Sequence, residues 1–375
     1  MDARAVDALL AFAVERGASD VHIVHGTPPA YRVDGEIYRL DELPGSERLA
    51  AAFPDLNGPL DARDTEAAAR VMLAAAGISY DEFAERKSAD FAYHIGTGDR
   101  FRVNAYFNNG APALACRVLP ARIPSMQELF GMLPGVVPTI ERFAQLPYGM
   151  VLVTGPTGSG KSTTLASMVD YINRRYRKHI VTLEDPIEYT YPHGKSIVNQ
   201  RELGRDVISF ADGLRAALRE DPDVILVGEM RDLETVEIAL HAAKTGHLVL
   251  STLHTGSAAE TVERIVSMFP PGQQATARLD LADALQGVIT QQLVRKKDGG
   301  RVPAMEVLVV TPAVRNLIRE GKPHQIPTAI QTGRDEGMVL MDKSLSELIR
   351  LGVVAEEDAW EKVVDKKRLA EYTKS

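Results

Sequence analysis

Apolar and polar positions along the chain fall into two textures that change near residue 120. In the first stretch Val6, Leu9, Leu10, Ala13 and Val14 recur at helical spacing, which predicts an amphipathic N-terminal helix. Ser19-Asp20-Val21-His22-Ile23 alternates polar and apolar, as does Tyr31-Arg32-Val33-Asp34 before Gly35, and both read as short half-buried strands. Residues 41–66, rich in Asp, Glu, Pro and Gly, read as loop with a short helix, and Ala67–Ala76 as a helix ended by Gly77. Phe91–His94, Arg100–Phe107 and Ala113–Leu119 read as strands around the turn Asn108-Asn109-Gly110. Pro120 and Pro124 disfavour helix in the residues before them and mark a linker over 120–125.

Beyond the linker, short and wholly apolar strands alternate with helical patterns. Met150–Thr154, Ile180–Leu183, Val224–Val227 and Leu248–Thr252 are the strands. Phe210–Arg219, Glu234–Lys244 and Ala258–Phe269 are helices; in the last, Val262, Ile265, Val266 and Phe269 share one face. Continuous apolar strands separated by helices predict a parallel sheet covered on both faces. The expected organisation is α/β: an N-terminal domain over 1–119, a core over 126–310 and a helical region over 311–375.

Composition narrows this picture. The chain has 375 residues with 43 basic and 51 acidic side chains, a net charge of −8. Such acidity argues against non-specific nucleic-acid binding unless positive charge is locally concentrated. The single cysteine, Cys116, excludes an intrachain disulfide and a cysteine-based zinc cluster, and fits a reducing cytosol. No apolar run reaches the length of a membrane span, and the N-terminus lacks the basic flank of a signal peptide.

The sharpest chemistry lies at Gly155-Pro-Thr157-Gly158-Ser159-Gly160-Lys161-Ser162, which satisfies G-x-x-x-x-G-K-[ST] between an apolar strand and a helix beginning near Thr163. Glycines there let backbone N–H groups converge on phosphate oxygens, and the helix N-terminus adds positive potential. Lys161 is expected to neutralise β- and γ-phosphate charge, and Ser162 to ligate Mg²⁺ on bound ATP.

Three further strands end in polar groups. Glu184-Asp185 closes one; the two acids either orient water or magnesium, or cap the turn before Pro186. Val224–Val227 runs into Gly228-Glu229, where a carboxylate can polarise the attacking water and bond magnesium's water shell. Leu248–Thr252 runs into His254, with His247 just before the strand; each is either a phosphate contact or an ordinary hydrogen-bonded histidine. The basic run Arg174–Lys178 reads as a solvated helix end rather than a nucleic-acid footprint.

Taken together these segments resemble the secretion-ATPase superfamily of type II/IV secretion and type IV pilus motors. The resemblance rests on the phosphate loop, the acidic box Val181–Tyr189, the Gly228-Glu229 strand, and the histidine box from Thr245-Gly-His247 to Thr252-Leu-His254-Thr255. Ala18–His22, Pro28–Gly35 and Glu229–Thr235 extend it, and Ala313–Glu320 is similar to a signature of pilus-retraction ATPases. It implies a PAS-like N-terminal domain, a RecA-like ATPase domain, and a homohexamer at the cytoplasmic face of the inner membrane. The implied partners are the membrane platform protein of the pilus and other pilus ATPases; no nucleic acid and no transmembrane segment are expected. It also implies that Arg102 and Arg117 reach the phosphates; read without it, both pair with local acids. Val314 and Lys244 depart from the family pattern, Lys244 standing where an acid is expected.

The function so implied is a motor that hydrolyses ATP to retract a type IV pilus and so drives twitching. Glu229 is its base, Glu184 assists, and Glu229 and Ser162 lie around magnesium. The alternatives are an accessory ATPase of the same superfamily, a RecA-fold nucleic-acid motor, and a nucleotide-bound regulator.

Overall fold

The computed structural model describes every residue except Asp34, Pro120, Ala121 and Ser375. The strand expectation at Asp34 and the start of the expected linker therefore lie outside the described residues. The chain divides into two compact units, one of residues 1–122 with 186–189, the other of 123–185 with 190–375.

The smaller unit is built on a six-stranded antiparallel sheet. Its strands are β1 (Asp20–Ile23), β2 (Ala30–Val33), β3 (Glu36–Arg39), β4 (Ser88–His94), β5 (Arg100–Asn108) and β6 (Ala111–Leu119), in the order β3-β2-β1-β6-β5-β4. The N-terminal helix spans Ala3–Glu15, opened by the Asp2 carboxylate accepting from the Ala5 N–H at 2.9 Å, a cap worth about 1 kcal/mol. Val6, Leu9 and Leu10 are fully enclosed with Met72 and Leu73 of the helix Ala62–Ala75. That helix starts earlier than its alanine run suggests, because Asp61 and Asp64 form a reciprocal capping box. Residues 41–66 fold into the short helix Ser46–Ala52 and brief 3₁₀ turns that bury Leu49, Leu56 and Leu60. Cys116 faces this core, and burial pushes its thiol up to about 12. Residues 186–189 join the unit through Arg100, whose guanidinium donates to the carbonyls of Ile187 and Glu188.

The larger unit holds a seven-stranded sheet, β13-β12-β7-β11-β10-β8-β9. The strands are β7 (Gly149–Thr154), β8 (His179–Glu184), β9 (Ile197–Glu202), β10 (Val224–Val227), β11 (Leu248–Leu253), β12 (Leu285–Arg295) and β13 (Arg301–Val309). Six run parallel, and β13 turns back antiparallel on β12 as a hairpin at the sheet edge. Side chains alternate between two cores: Met150 and Leu152 point into one, Val151 and Val153 into the other. Every residue of β7, β10 and β11 is buried, so these strands read as unbroken apolar runs. The C-terminal helices pack on both faces. Val314 and Ile318 enter one core, and Leu345, Leu348 and Leu369 the other, each burial worth about 2 kcal/mol. No helix among the described residues is long and apolar enough to cross a membrane.

Candidate nucleotide site

Four neighbouring parallel strands of the larger unit deliver polar groups to their C-terminal ends. In the order β7-β11-β10-β8 these are the phosphate loop, His254, Gly228-Glu229 and Glu184. The C-terminal edge of a parallel sheet is where such folds bind ligands, because loops and helix N-termini converge there.

The phosphate loop leaves β7 through Gly155, Gly158 and Gly160, all at positive φ (+140°, +75° and +89°). Gly160 caps the helix Lys161–Arg175. Lys161 is 9% exposed, and its ammonium donates to the carbonyls of Gly155 at 2.9 Å and Pro156 at 3.0 Å. The loop thus holds its own cation against its rim. Ser162 is exposed in the first helical turn, and Thr163 beside it is half-buried. The hydroxyl of Ser159 is enclosed without a hydrogen-bond partner, an orphan of the kind a phosphate oxygen satisfies. Thr157 and Gly158 form the exposed crest.

Glu229 follows β10 and is one-fifth exposed. One carboxylate oxygen pairs with Arg231 at 2.7 Å, and the other lies 3.4 Å from Nε2 of His254. The carboxylate raises the Arg231 guanidinium above its usual value, chiefly through that hydrogen bond. Gly228 fits because a Cβ there would crowd the Leu183 carbonyl, 3.1 Å away. This close approach brings the exits of β8 and β10 together. Glu184 is half-buried; one oxygen accepts from the Thr182 hydroxyl at 2.7 Å and the Gln200 amide at 3.1 Å. These two neutral donors help orient it, while Asp185 beside it is exposed.

His247 does not join this group. It precedes β11 and lies at the other end of the strand from His254, roughly 20 Å away at the rise of a strand. Its Nδ1 and its backbone N–H both meet the Ala242 carbonyl at the end of the helix Leu233–Lys244. Lys244, where an acid was expected, pairs with Asp280.

Arg102 and Arg117 stand directly opposite each other on β5 and β6 of the smaller unit. Arg117 donates to Asp20 on β1 at 2.9 Å, whereas the side chain of Arg102 makes no hydrogen bond or ion pair among the described residues. Like charges facing across a strand pair disfavour it, and Asp20 offsets one of the two here.

No three His, Cys, Asp or Glu side chains among the described residues converge as a metal site. Magnesium suits this arrangement: it binds through one or two protein oxygens with phosphates and water supplying the rest, and the exposed Ser162 hydroxyl and the Glu229 carboxylate are such oxygens.

Residues 91–360 match the family model "Type II/IV secretion system protein". The chain is 46% identical over 356 residues to the type IV pilus retraction ATPase PilT of Pseudomonas aeruginosa, covering 94% of this chain and 96% of that protein. It is 51% identical over 279 residues to a twitching motility protein of Neisseria gonorrhoeae, covering 74% of this chain and 73% of that one. Among solved structures, the pilus retraction motor PilT with bound ADP aligns with a TM-score of 0.85 at 45% identity, covering 99% of both chains.

Proposed function

The chain belongs to the type II/IV secretion system protein family, and from that membership we propose that it is the ATPase that retracts a type IV pilus. It is an ATPase with an N-terminal domain and a larger nucleotide-hydrolysing domain. The observation that carries the reading is the phosphate loop, His254, Glu229 and Glu184 on four adjacent strand ends, in a chain nearly half identical to PilT along its length.

In the proposed reaction, water attacks the γ-phosphate in line. Backbone N–H groups of Gly158–Thr163 and the Lys161 ammonium hold the phosphates. Glu229 orients the water and takes up its proton, and His254 keeps that carboxylate in place. Glu184 assists by ordering the same water. Magnesium, when bound, would neutralise phosphate charge, and the Ser162 hydroxyl and the Glu229 carboxylate are the groups that would hold it. Arg102 and Arg117 add guanidinium charge that stabilises the transition state; the uncompensated Arg102 supports that role. A homohexameric ring at the cytoplasmic face of the inner membrane, acting on the pilus platform protein alongside other pilus ATPases, completes the proposal. The residues Ala313–Glu320, similar to the retraction signature, favour retraction over an accessory role.

Two measurements test it. Purified protein should hydrolyse ATP only with magnesium, and single-stranded DNA should leave the rate unchanged; strong DNA stimulation points to a nucleic-acid motor instead. Deleting the gene should leave more surface pili and no twitching, and fewer pili would contradict retraction.

A further inference from the structure

Gln291 lies on β12, the strand beside β7, and has no place in the phosphate-loop motif. It is a polar side chain only 1% exposed. Its amide nitrogen donates to the carbonyl of Ser159. Its amide oxygen accepts from the Thr164 hydroxyl at 2.7 Å. Both ends of the side chain are therefore spent on the loop and the first turn of its helix. The Ser159 carbonyl, which can only accept, fixes which way round the amide sits, and so leaves Oε1 facing the Thr164 hydroxyl.

The two outer glycines of the motif answer to the same residue. A Cβ on Gly155 would run into the Gln291 backbone oxygen, and one on Gly160 would stand 2.9 Å from the Gln291 amide nitrogen. Gly155 and Gly160 are thus glycines partly because β12 presses against the loop here, beyond their positive φ.

We propose that Gln291 is a positioning residue for nucleotide binding, one that aims the Gly160 N–H into the phosphate cradle. In a trans peptide the C=O and the following N–H point in opposite directions. Holding the Ser159 carbonyl against β12 therefore turns the Gly160 N–H to the far side, where the loop closes on phosphate. A loop without this brace is free to flip that peptide, replacing a donor with a carbonyl oxygen that repels the anion. The proposal rests on the nucleotide-site reading above.

The test is the affinity of the full chain for a fluorescent ADP analogue with magnesium, measured from pH 5.5 to 9 in the parent, Gln291→Glu and Lys161→Ala. A glutamate keeps the shape and still accepts from Thr164, but once ionised it cannot donate to Ser159. At pH 9 the Glu variant should bind at least tenfold more weakly than the parent. The ratio of the two dissociation constants should shrink toward twofold as the buried carboxyl protonates and donates again. A ratio near one throughout, or a raised ratio that does not change with pH, overturns the proposal. Should the Glu variant fail to fold, Gln291→Met, uncharged and of similar length, decides: about tenfold weaker binding supports the brace, and parental affinity overturns it. Lys161→Ala separates the two layers. If that variant binds ADP as tightly as the parent, the nucleotide-site reading itself fails, whatever Gln291 does.

Discussion

The two ends of the large sheet carry similar side chains and treat them differently. At the N-terminal ends of β8, β10 and β11, Lys178, His179, Asp223 and His247 are consumed by one another and by the backbone. Asp223 pairs with Lys178 at 2.8 Å and accepts the His179 N–H at 2.9 Å. His179 bridges the Asp221 carbonyl and Asn199, and His247 is tied to Ala242. At the C-terminal ends Glu229 and Glu184 also have partners, but the phosphate loop that ends the neighbouring strand β7 keeps an enclosed Ser159 hydroxyl with none. The lesson is that residue type does not separate structural from chemical polar groups here; position at the end of the sheet that carries the phosphate loop does.

The strongest way to break this contrast is at Glu229. Glu229→Gln should keep nucleotide affinity within a few-fold and lower kcat by about 100-fold or more, the contribution of a positioned base. Steady-state hydrolysis alongside ADP titration checks this, and parental turnover would remove Glu229 from the mechanism.

Next in size is Glu306, a carboxyl at the same level of the sheet, opposite Thr290 on β12, which in turn pairs with Thr154. It is 6% exposed and accepts the Ala258 N–H at 2.8 Å. Burial, partly offset by that bond, pushes its pKa from 4.5 to about 7. Between those values the folded state holds a proton that the unfolded state has lost. Its stability contribution is therefore complete below about pH 4.5 and disappears as pH rises through 7, a change on the order of 3 kcal/mol. Denaturant melts of the parent should show this slope, and Glu306→Gln should flatten it; an identical slope in both would place the titration elsewhere.

A smaller effect separates the two histidines. His254→Ala should lower kcat by about tenfold, by freeing the Glu229 carboxylate that its ring abuts. His247→Ala should leave kcat within twofold and cost about 1 kcal/mol of stability. Equal losses of turnover in both would dissolve the distinction between the two ends of β11.

The smallest change is expected at Asp223. Burial raises its carboxyl, but the Lys178 ammonium and the His179 N–H outweigh that and hold it below its ordinary value. The pair is about two-fifths exposed, so Asp223→Asn should cost only about 0.5–1 kcal/mol. The difference from the parent should fade as pH falls below about 4, through the lowered value at which the folded state takes up its proton. Urea melts at pH 7 and pH 3 test this, and a difference that grew at low pH would reverse the argument.

Much of this was legible in the sequence, unevenly. The strands β7, β10 and β11 are buried on both faces and announced themselves as apolar runs, and the phosphate loop as a motif. Period and spacing also found the helices Phe210–Ala217 and Ala258–Ser267. The hairpin β12–β13 did not stand out, because Gln286, Gln291, Gln292 and Glu306 interrupt its apolar pattern. Gln291 and Glu306 are buried there on the strength of bonds to Ser159, Thr164 and Ala258, partners far away in sequence. For the same reason Gln291 escaped notice as a site residue, and so did Thr182 and Gln200 behind Glu184. Arg231 sat in plain view two residues beyond Glu229, but only the folded turn shows that it pairs with it. His247 looked equivalent to His254 because sequence proximity ignores that a whole strand separates them. The pairing of Arg102 with Arg117 depends on the register of β5 on β6, which no local pattern specifies.

The enclosure of Cys116 has a practical consequence. A thiol with no exposed surface and almost no thiolate at neutral pH is inert toward maleimides. The folded chain therefore behaves as a cysteine-free background, although it carries a cysteine. A cysteine introduced on the surface of either unit should become a single chemical address for a dye or spin label, without removing the native residue. The native thiol would then report something else: it should become reactive only where the small sheet opens, so labelling at Cys116 during turnover would read out how often the N-terminal unit unfolds under load.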